Sequence, residues 1–361
     1  MKKKLPYIIA ELGTSHGGDI VKAGELIAAA AEAGADCIKC QIVFAGEILH
    51  PKTGAVSLPG GEIPLYDVFK SLENDENFYR ELKNQAKKQG IHFLATPFGP
   101  KSAALLQKLS PEAVKIASPE LNYIGLLKEI GSWRLPVYVS SGVSTLGDIE
   151  EAVAVLKEAS GEAIKLTLLH CVTAYPAPPE DYNVRVLPFL SGVFGIDVGI
   201  SDHTIDPVLV PVLGYAQGAA VIEKHFCLSR NDSGLDDPIA LEPAAFAKMC
   251  AALNHAAALE SGQIINEMKK EFGADLVEKT LGNGIKSLPA SEKANYGRTN
   301  RSIHALRDIA EGETIEQEVI GILRTEKILR PGLHPRWESA IVGRKARNPI
   351  PAGEGIRFED V

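Results

Sequence analysis

Eight short β-type runs divide the first 260 residues, and most of them are followed by a stretch that suits a helix. Several runs are almost entirely apolar, as parallel strands are when helices cover both faces of their sheet. The runs are Tyr7–Glu11, Cys37–Ile42, His92–Pro97, Ala113–Ser118, Pro136–Gly142, Lys165–Cys171, Asp197–His203 and Ala219–Phe226. The clearest amphipathic stretches are Val21–Ala33, Asn77–Gln89, Lys101–Leu109 and Leu146–Glu158. Eight evenly spaced units predict an α/β fold, a (β/α)₈ TIM barrel, rather than a doubly wound sheet.

The pattern changes after residue 260. Residues 261–300 carry mixed charge and predict a connector with some helix. Two short β-type runs, Ser302–Ala305 and Gly321–Arg324, then alternate with turn-rich pieces. Short strands separated by turns predict a small β-rich domain over residues 301–361, which follows a barrel domain of residues 1–260.

The net charge and the hydropathy of the chain argue against two classes of partner, nucleic acids and membranes. The chain has 38 basic and 46 acidic residues, a net charge of −8, and its longest basic block is Lys2–Lys4. We therefore expect no nucleic-acid partner and no membrane surface. The apolar runs are shorter than the roughly 18 residues of a membrane span, and Leu5–Ala10 is shorter than the core of a secretory signal, about 7–15 residues. A cytoplasmic protein is expected.

Five cysteines, an odd number, lie in apolar segments, which predicts buried and reduced thiols. Cys37 and Cys40 form a C-x-x-C pattern inside a β-type run. Residues three apart on a strand point to opposite faces, so this pair is not expected to share a metal or form a redox site.

Polar side chains lie at the end of each of the eight runs. In a TIM barrel the carboxyl ends of the strands carry the active site, so these groups are expected to share one pocket. They are Glu11, Lys39, Gln41, Thr96, Lys115, Ser118, Ser140, Ser141, His170, Ser201, His203, Glu223 and His225.

His203 and His225 end the seventh and eighth runs, and neighbouring strands lie only about 5 Å apart. Two imidazoles at one barrel mouth predict a divalent metal site with positions open for substrate and water. Zinc favours three or four firm ligands, so the sparse set suits Mn²⁺ or Mg²⁺ better. The alternative is a pair of hydrogen-bonded core histidines.

Lys39 and Lys115 end strands in apolar surroundings, where lysine is rare unless it is paired. Together with nearby hydroxyls they form a plausible cradle for a phosphate and a carboxylate. Two alternatives are a Schiff-base lysine of an aldolase and structural ion pairs to Glu11 or Glu120. Glu11 itself suits either acid/base work or neutralisation of a lysine. The hydroxyls are those of Thr96, Ser118, Ser140 and Ser201.

The sequence resembles the sialic acid synthase family of phosphoenolpyruvate-dependent nonulosonate synthases, which includes spore-coat polysaccharide synthase-like members. The motifs are Ile8-Ile9-Ala10-Glu11-Leu12-Gly13, Lys39-Cys40-Gln41, Phe93-Leu94-Ala95-Thr96-Pro97-Phe98, Lys115-Ile116-Ala117-Ser118, Ser140-Ser141-Gly142, His170-Cys171-Val172-Thr173-Ala174-Tyr175-Pro176, Gly199-Ile200-Ser201-Asp202-His203-Thr204 and Ile222-Glu223-Lys224-His225-Phe226. At the C-terminus, Arg301-Ser302, Arg330-Pro331-Gly332 and Ile341-Val342-Gly343-Arg344 resemble the SAF (antifreeze-like) domain, a β-clip-like module.

The resemblance implies condensation of phosphoenolpyruvate with an N-acetylated aminosugar, such as N-acetylmannosamine, and release of phosphate. It implies that His203 and His225 act in catalysis by binding a divalent metal, Mn²⁺ first and Mg²⁺ or Co²⁺ as alternatives, and that Glu11 is a further catalytic group. It implies that Arg301 reaches the sugar on the other subunit of a domain-swapped homodimer. The implied phosphoenolpyruvate ligands are Lys39, Thr96, Lys115, Ser118, Ser140 and Ser201, and the implied sugar ligands are Gln41, Tyr175, Asp236 and Arg301.

Two stretches depart from the family pattern, namely residues 15–18 and the loop of residues 46–64. We expect the identity of the sugar to depend on that loop. A synthase for legionaminic, pseudaminic or another surface-polysaccharide sugar acid is therefore an alternative. An alternative of a different class is a non-catalytic sugar-binding protein on the same fold.

Overall fold

The computed structural model describes residues 4–58, 61–161, 164–232 and 234–361. Lys2 and Lys3 of the basic block Lys2–Lys4 therefore lie outside the described residues. Eight parallel strands form one sheet, and a helix follows each of them. The strands are β1 (Tyr7–Glu11), β2 (Cys37–Ile42), β3 (His92–Pro97), β4 (Val114–Ile116), β5 (Val137–Ser140), β6 (Leu166–Cys171), β7 (Asp197–Asp202) and β8 (Val221–His225). The helices are α1 (Ile20–Glu32), α2 (Glu76–Lys88), α3 (Pro100–Lys108), α4 (Ile124–Ser132), α5 (Leu146–Ser160), α6 (Val186–Phe194), α7 (Leu209–Ala216) and α8 (Pro243–Ala256).

The strand order is β3-β2-β1-β8-β7-β6-β5-β4, and the two end strands β3 and β4 adjoin each other. The sheet is therefore a nearly closed barrel, which confirms the predicted (β/α)₈ fold. Its register places Glu11 opposite both Lys39 and His225 on the neighbouring strands, and Glu223 opposite Ser201. Polar groups from adjacent strands thus meet at the carboxyl end of the barrel.

Successive side chains of a strand point to opposite faces, so the barrel has one core in its interior and another between the strands and the helices. Cys37 packs with Ile9 and Leu169 inside the barrel, whereas Cys40 packs in the layer between strands and helices. The C-x-x-C cysteines therefore point to opposite faces, as predicted. All five cysteines are free and buried.

Two further helices, α9 (Ser261–Phe272) and α10 (Ala274–Leu281), place buried residues in the same core as the barrel. The rest of the connector, residues 282–300, runs along the barrel without a helix or strand. No helix in the described ranges is long and apolar enough to cross a membrane.

The C-terminal domain contains an antiparallel pair, β9 (Arg301–Ala305) and β10 (Ile320–Arg324), and a short helix, Glu338–Ile341. Its own apolar core contains Ile303 and Ile315.

The long β2–α2 loop contacts the C-terminal domain. It holds two short helices, Ala45–Ile48 and Leu65–Ser71, and a hairpin of Ala55–Leu58 with Gly61–Pro64. The Thr53 hydroxyl donates to the carbonyl of Thr325 (3.0 Å), so the C-terminal domain sits over the mouth of its own barrel.

Candidate active site

A cavity of about 320 Å³ opens at the carboxyl end of the barrel beneath the C-terminal domain. Its lining comes from the barrel strands, the loops that follow them, the connector and β10. Twelve of the thirteen residues that the resemblance assigns to the site meet there. They are Glu11, Lys39, Gln41, Thr96, Lys115, Ser118, Ser140, Tyr175, Ser201, His203, His225 and Asp236.

Lys39 lies at the centre of a buried ionic cluster. Its Nζ is 2.8 Å from Glu11 Oε2 and 3.6 Å from Glu223 Oε1. Burial alone would lower the pKa of Lys39, but the charges of Glu11 and Glu223 outweigh burial and raise it. Lys39 is therefore a permanent cation at neutral pH. Lys39 thus both forms a structural ion pair with Glu11 and lines the cavity.

The two carboxylates of this cluster are held by neighbouring side chains. Gln41 Nε2 donates to Glu11 Oε1 (2.8 Å), and Ser201 Oγ donates to Glu223 Oε1 (2.9 Å). The other oxygen of Glu223, Oε2, is buried without a hydrogen-bond partner. Because a buried carboxylate oxygen normally has a partner, this atom is suited to a polar group of a ligand.

Lys115 lies on the side of the cavity formed by β4 and β5. Its Nζ donates to Ser140 Oγ (2.6 Å) and to the carbonyl of Ile116 (2.9 Å). Burial lowers the pKa of Lys115 to about 8. Ser118 Oγ accepts the amide hydrogen of Gly142 (2.9 Å). This side therefore presents one cation and two hydroxyls to the same space, which is the chemistry of an anion cradle.

The rings of His203 and His225 are neighbours in the cavity wall, with centroids 5.4 Å apart. His203 Nδ1 lies 2.8 Å from the carbonyl of Val172, and because a carbonyl only accepts, Nδ1 carries the proton. Burial would lower the pKa of His203, but the neighbouring Cys171 outweighs it and raises the pKa to about 9. His203 is therefore protonated at neutral pH, and its Nε2 can bind a metal ion only after it releases that proton. Burial lowers the pKa of His225 to about 3, so that ring is neutral.

Tyr175 and Asp236 complete this wall. The Tyr175 ring stacks on His203 with centroids 4.3 Å apart, and about half of its surface is exposed. Asp236 Oδ2 lies 3.9 Å from His225 Nδ1, and burial raises the pKa of Asp236. Both side chains are therefore placed to contact a ligand beside the histidines.

Arg301 does not line the cavity of its own chain, and its predicted contact with the sugar on a second subunit stays a prediction. Its side chain is 1% exposed, and each guanidinium nitrogen is used elsewhere. Nε donates to Glu120 Oε1 (3.0 Å), Nη2 to the carbonyl of Phe98 (2.7 Å), and Nη1 to the carbonyl of Ile322 (3.1 Å). The cross-strand partner of Arg301, Arg324, lines the cavity instead.

Sequence reasoning missed several lining residues and included two polar ones that face elsewhere. Thr173 lines the cavity two residues beyond Cys171, so strand alternation could have identified it. His170 faces the other way and contacts the carbonyl of Tyr182 through Nε2 (2.6 Å), and Ser141 is also absent from the lining. No sequence signal marks the lining residues that come from the connector and the C-terminal domain, which are Asn295, Thr299, Arg324, Glu326 and Lys327.

The loop predicted to determine the sugar contributes little to the cavity lining within its described part. None of residues 46–56 and 62–64 lines the cavity, whereas Phe69, further along the same loop, does. Residues of the loop instead contact the C-terminal domain, since the amide of Ile328 donates to the carbonyl of Thr53 (3.2 Å).

Comparison with known proteins identifies the family that has this barrel and this cavity. Residues 26–265 match the NeuB family, and residues 300–361 match the SAF domain. The chain belongs to the NeuB family. The resemblance seen in the motifs is thereby confirmed, and the C-terminal β-rich domain is a SAF domain.

Several NeuB-family relatives match over nearly the whole chain. Spore coat polysaccharide biosynthesis protein SpsE of Bacillus subtilis is 33% identical over 98% of this chain and 93% of SpsE. Its crystal structure covers 99% of this chain and 96% of its own, with a TM-score of 0.82. N,N'-diacetyllegionaminic acid synthase of Campylobacter jejuni is 35% identical over 88% of this chain and 89% of that synthase.

A solved N-acetylneuraminic acid synthetase from Leptospira borgpetersenii shares 29% identity and a TM-score of 0.64, and the match covers 81% of this chain and 90% of that one. The relatives whose names state an activity are sugar-acid synthases. The prediction of a sialic acid synthase-like enzyme is thus confirmed at the level of the family.

Proposed function

We propose that this NeuB-family member condenses phosphoenolpyruvate with an N-acetylated aminosugar, N-acetylmannosamine or a close relative, to give a sialic-acid-type nonulosonate and phosphate. The observation that carries the proposal is a single cavity with a lysine–hydroxyl cradle on one side and paired histidines on the other. The names of the relatives support the same class of product, with legionaminic and pseudaminic acids as alternatives.

The cradle suits the anionic substrate. Lys39 and Lys115 would bind its phosphate and carboxylate together with Thr96, Ser118, Ser140 and Ser201. The methylene carbon of phosphoenolpyruvate would attack the sugar aldehyde, whose oxygen takes the electron pair of the broken C=O π bond and then a proton to become a hydroxyl. Water would add to the resulting cationic carbon before phosphate leaves. Two lysines in a largely buried site would stabilise the charge on the phosphate throughout, which is usually the largest contribution to catalysis. Glu11, held by Lys39 and Gln41, would accept the proton of the attacking water.

His203 and His225 fit a sparse metal site. Both rings face the cavity, and His225 is neutral. His203 would release its Nε2 proton when an ion binds, while its Nδ1 proton stays on the Val172 carbonyl. Substrate and water would complete the ligand set, which suits Mn²⁺ first and Mg²⁺ or Co²⁺ as alternatives. When bound, such an ion supplies Lewis acidity to a carbonyl oxygen.

The sugar would lie on the side of Gln41, Tyr175 and Asp236. We assign the arginine that contacts it as Arg324 rather than Arg301, because Arg324 lines the cavity. Its guanidinium is anchored on Glu120 Oε1 (2.7 Å) and its side chain remains 12% exposed. One face of the cation is therefore available to a polar group of the sugar.

A Schiff-base aldolase is the competing enzyme class, and the lowered pKa of Lys115 is the observation that favours it. Borohydride reduction in the presence of pyruvate distinguishes the two. We expect no adduct, and a mass increase on Lys115 or Lys39 would overturn the synthase proposal.

We further propose a cytoplasmic homodimer in which SAF domains exchange between subunits. The contact between the SAF domain and the barrel, made here within one chain, would form between two chains if residues 282–300 crossed over. Sedimentation equilibrium should give twice the mass of the chain. A crosslink between positions 301 and 120 should join two chains, and one formed only within monomers would exclude the exchange.

The proposed reaction is tested by measuring phosphate release from phosphoenolpyruvate with Mn²⁺ and a panel of N-acetylated hexosamines, with and without EDTA. Release that requires both a sugar and the metal is the expected result, and the best sugar identifies the substrate. Binding of phosphoenolpyruvate and sugar without any release would instead indicate the non-catalytic sugar-binding alternative.

A further inference from the structure

Val143 has a backbone conformation that its side chain disfavours. It follows the cradle residue Ser140 in the β5–α5 loop, is fully buried, and has a φ of +41°. A β-branched residue in the left-handed region is strained and persists only where its surroundings hold it in place. The backbone conformation of the loop after Ser140 is therefore not the one that its own residues favour, and contacts with other parts of the chain must maintain it.

The connector between the two domains holds this loop at three points. Glu292 Oε1 accepts the amide hydrogen of Val143 (2.8 Å), and Asn300 Nδ2 donates to the Val143 carbonyl (3.0 Å). Lys286 Nζ donates to the carbonyl of Ser141 (2.9 Å). Both backbone groups of the strained residue are thus bonded to side chains that lie about 150 residues further along the chain.

Glu292 also joins this loop to the next one around the barrel. The same oxygen, Oε1, accepts the amide hydrogen of Thr173, which follows β6 and lines the cavity. Glu292 is completely buried, and its Oε2 has no hydrogen-bond partner. Burying a carboxylate in this way is unfavourable, and the hydrogen bonds that Glu292 accepts from the two loops offset part of that cost.

We propose that Glu292 is a positioning residue: it holds the β5–α5 and β6–α6 loops in the geometry that binds phosphoenolpyruvate, together with Asn300. Residues 286–300, which we call the latch, therefore couple the position of the SAF domain on the barrel to the geometry of the phosphate cradle. Asn295 and Thr299 of the same segment line the cavity, so the latch is in direct contact with the site. The inference rests on the proposed function for the identity of the ligand.

The test is calorimetric titration of phosphoenolpyruvate into the full-length protein and its variants. Glu292→Ala should weaken binding about tenfold or more, since two buried amides lose their acceptor, and Glu292→Gln should remain near wild type. Asn300→Ala should weaken binding in the same direction and serves if Glu292→Ala does not fold. Asp360→Ala is the matched control, because Asp360 is also a buried carboxylate that accepts two hydrogen bonds, remote from the cavity.

A coupled pair of variants separates positioning from general destabilisation. Glycine adopts a positive φ without strain, so in a Val143→Gly background Glu292→Ala should weaken binding by less than about threefold. Hydrogen exchange without ligand should show faster exchange of the Val143 and Thr173 amides in Glu292→Ala but not in Asp360→Ala. Unchanged exchange and unchanged affinity in Glu292→Ala would overturn the latch. If the wild type binds no phosphoenolpyruvate while these amides still respond, the proposed function fails and the latch stands.

Discussion

Lys115 and Ser140 share a hydrogen bond of 2.6 Å across neighbouring strands, which places a buried ammonium group beside a hydroxyl in the cavity. Burial lowers the pKa of Lys115 to about 8, so its positive charge is present below that pH and is lost as the pH rises through it. We predict that kcat/KM for phosphoenolpyruvate falls up to about tenfold per pH unit above about pH 8.

The control for this prediction is Lys115→Arg. Arginine stays charged at every relevant pH, so the fall above about pH 8 should disappear even if the overall rate is lower. A wild-type profile that stays level to about pH 10 would contradict the role of Lys115.

Removal of either cavity histidine should abolish metal-dependent turnover. His203→Ala and His225→Ala each delete one of the two proposed protein ligands, so we expect Mn²⁺ binding to weaken about a hundredfold or more. Electron paramagnetic resonance of free Mn²⁺ measures binding, and phosphate release measures turnover. His255→Ala is the control, because His255 is exposed on α8 and pairs with Glu267. Full activity in either cavity variant would rule out the metal assignment.

Glu120 should be the main ionic anchor of the SAF domain. Its buried Oε1 pairs with both Arg301 and Arg324, at 2.9 and 2.7 Å. Glu120→Ala leaves Arg301 buried without its counter-charge, so the free energy of unfolding should fall by about 3–5 kcal/mol. Denaturant titration followed by circular dichroism measures it. Asp275→Ala, which breaks an exposed pair with Lys279, should change little.

Arg301 and Arg324 should differ in what they contribute. Arg324→Ala should raise KM for the aminosugar about tenfold while KM for phosphoenolpyruvate stays the same, because only this arginine faces the cavity. Arg301→Ala should instead lower the melting temperature and leave the sugar KM near wild type, provided that both are measured below the transition. The opposite pattern would restore Arg301 to the sugar site.

The barrel could be predicted from the sequence because its signals are local. Apolar runs and amphipathic stretches identified every barrel strand, with three of the eight matching to the residue. Differences at strand ends have local causes: the fourth run stops at Ile116 because Ser118 begins a short 3₁₀ turn. The period of two explains why Lys39 and Gln41 on β2 both line the cavity.

From the sequence alone we could therefore predict the barrel, the end of the barrel at which the cavity opens and twelve of the residues that line it. The tertiary structure was needed to see that Arg324 rather than Arg301 lines the cavity, because the faces of the two residues depend on how β9 pairs with β10 and how that pair docks on Glu120. It alone also revealed Glu292, which belongs to a segment without helix or strand periodicity. Such contacts join residues far apart in the chain, and no repeat in the sequence encodes which distant backbone groups a connector will meet.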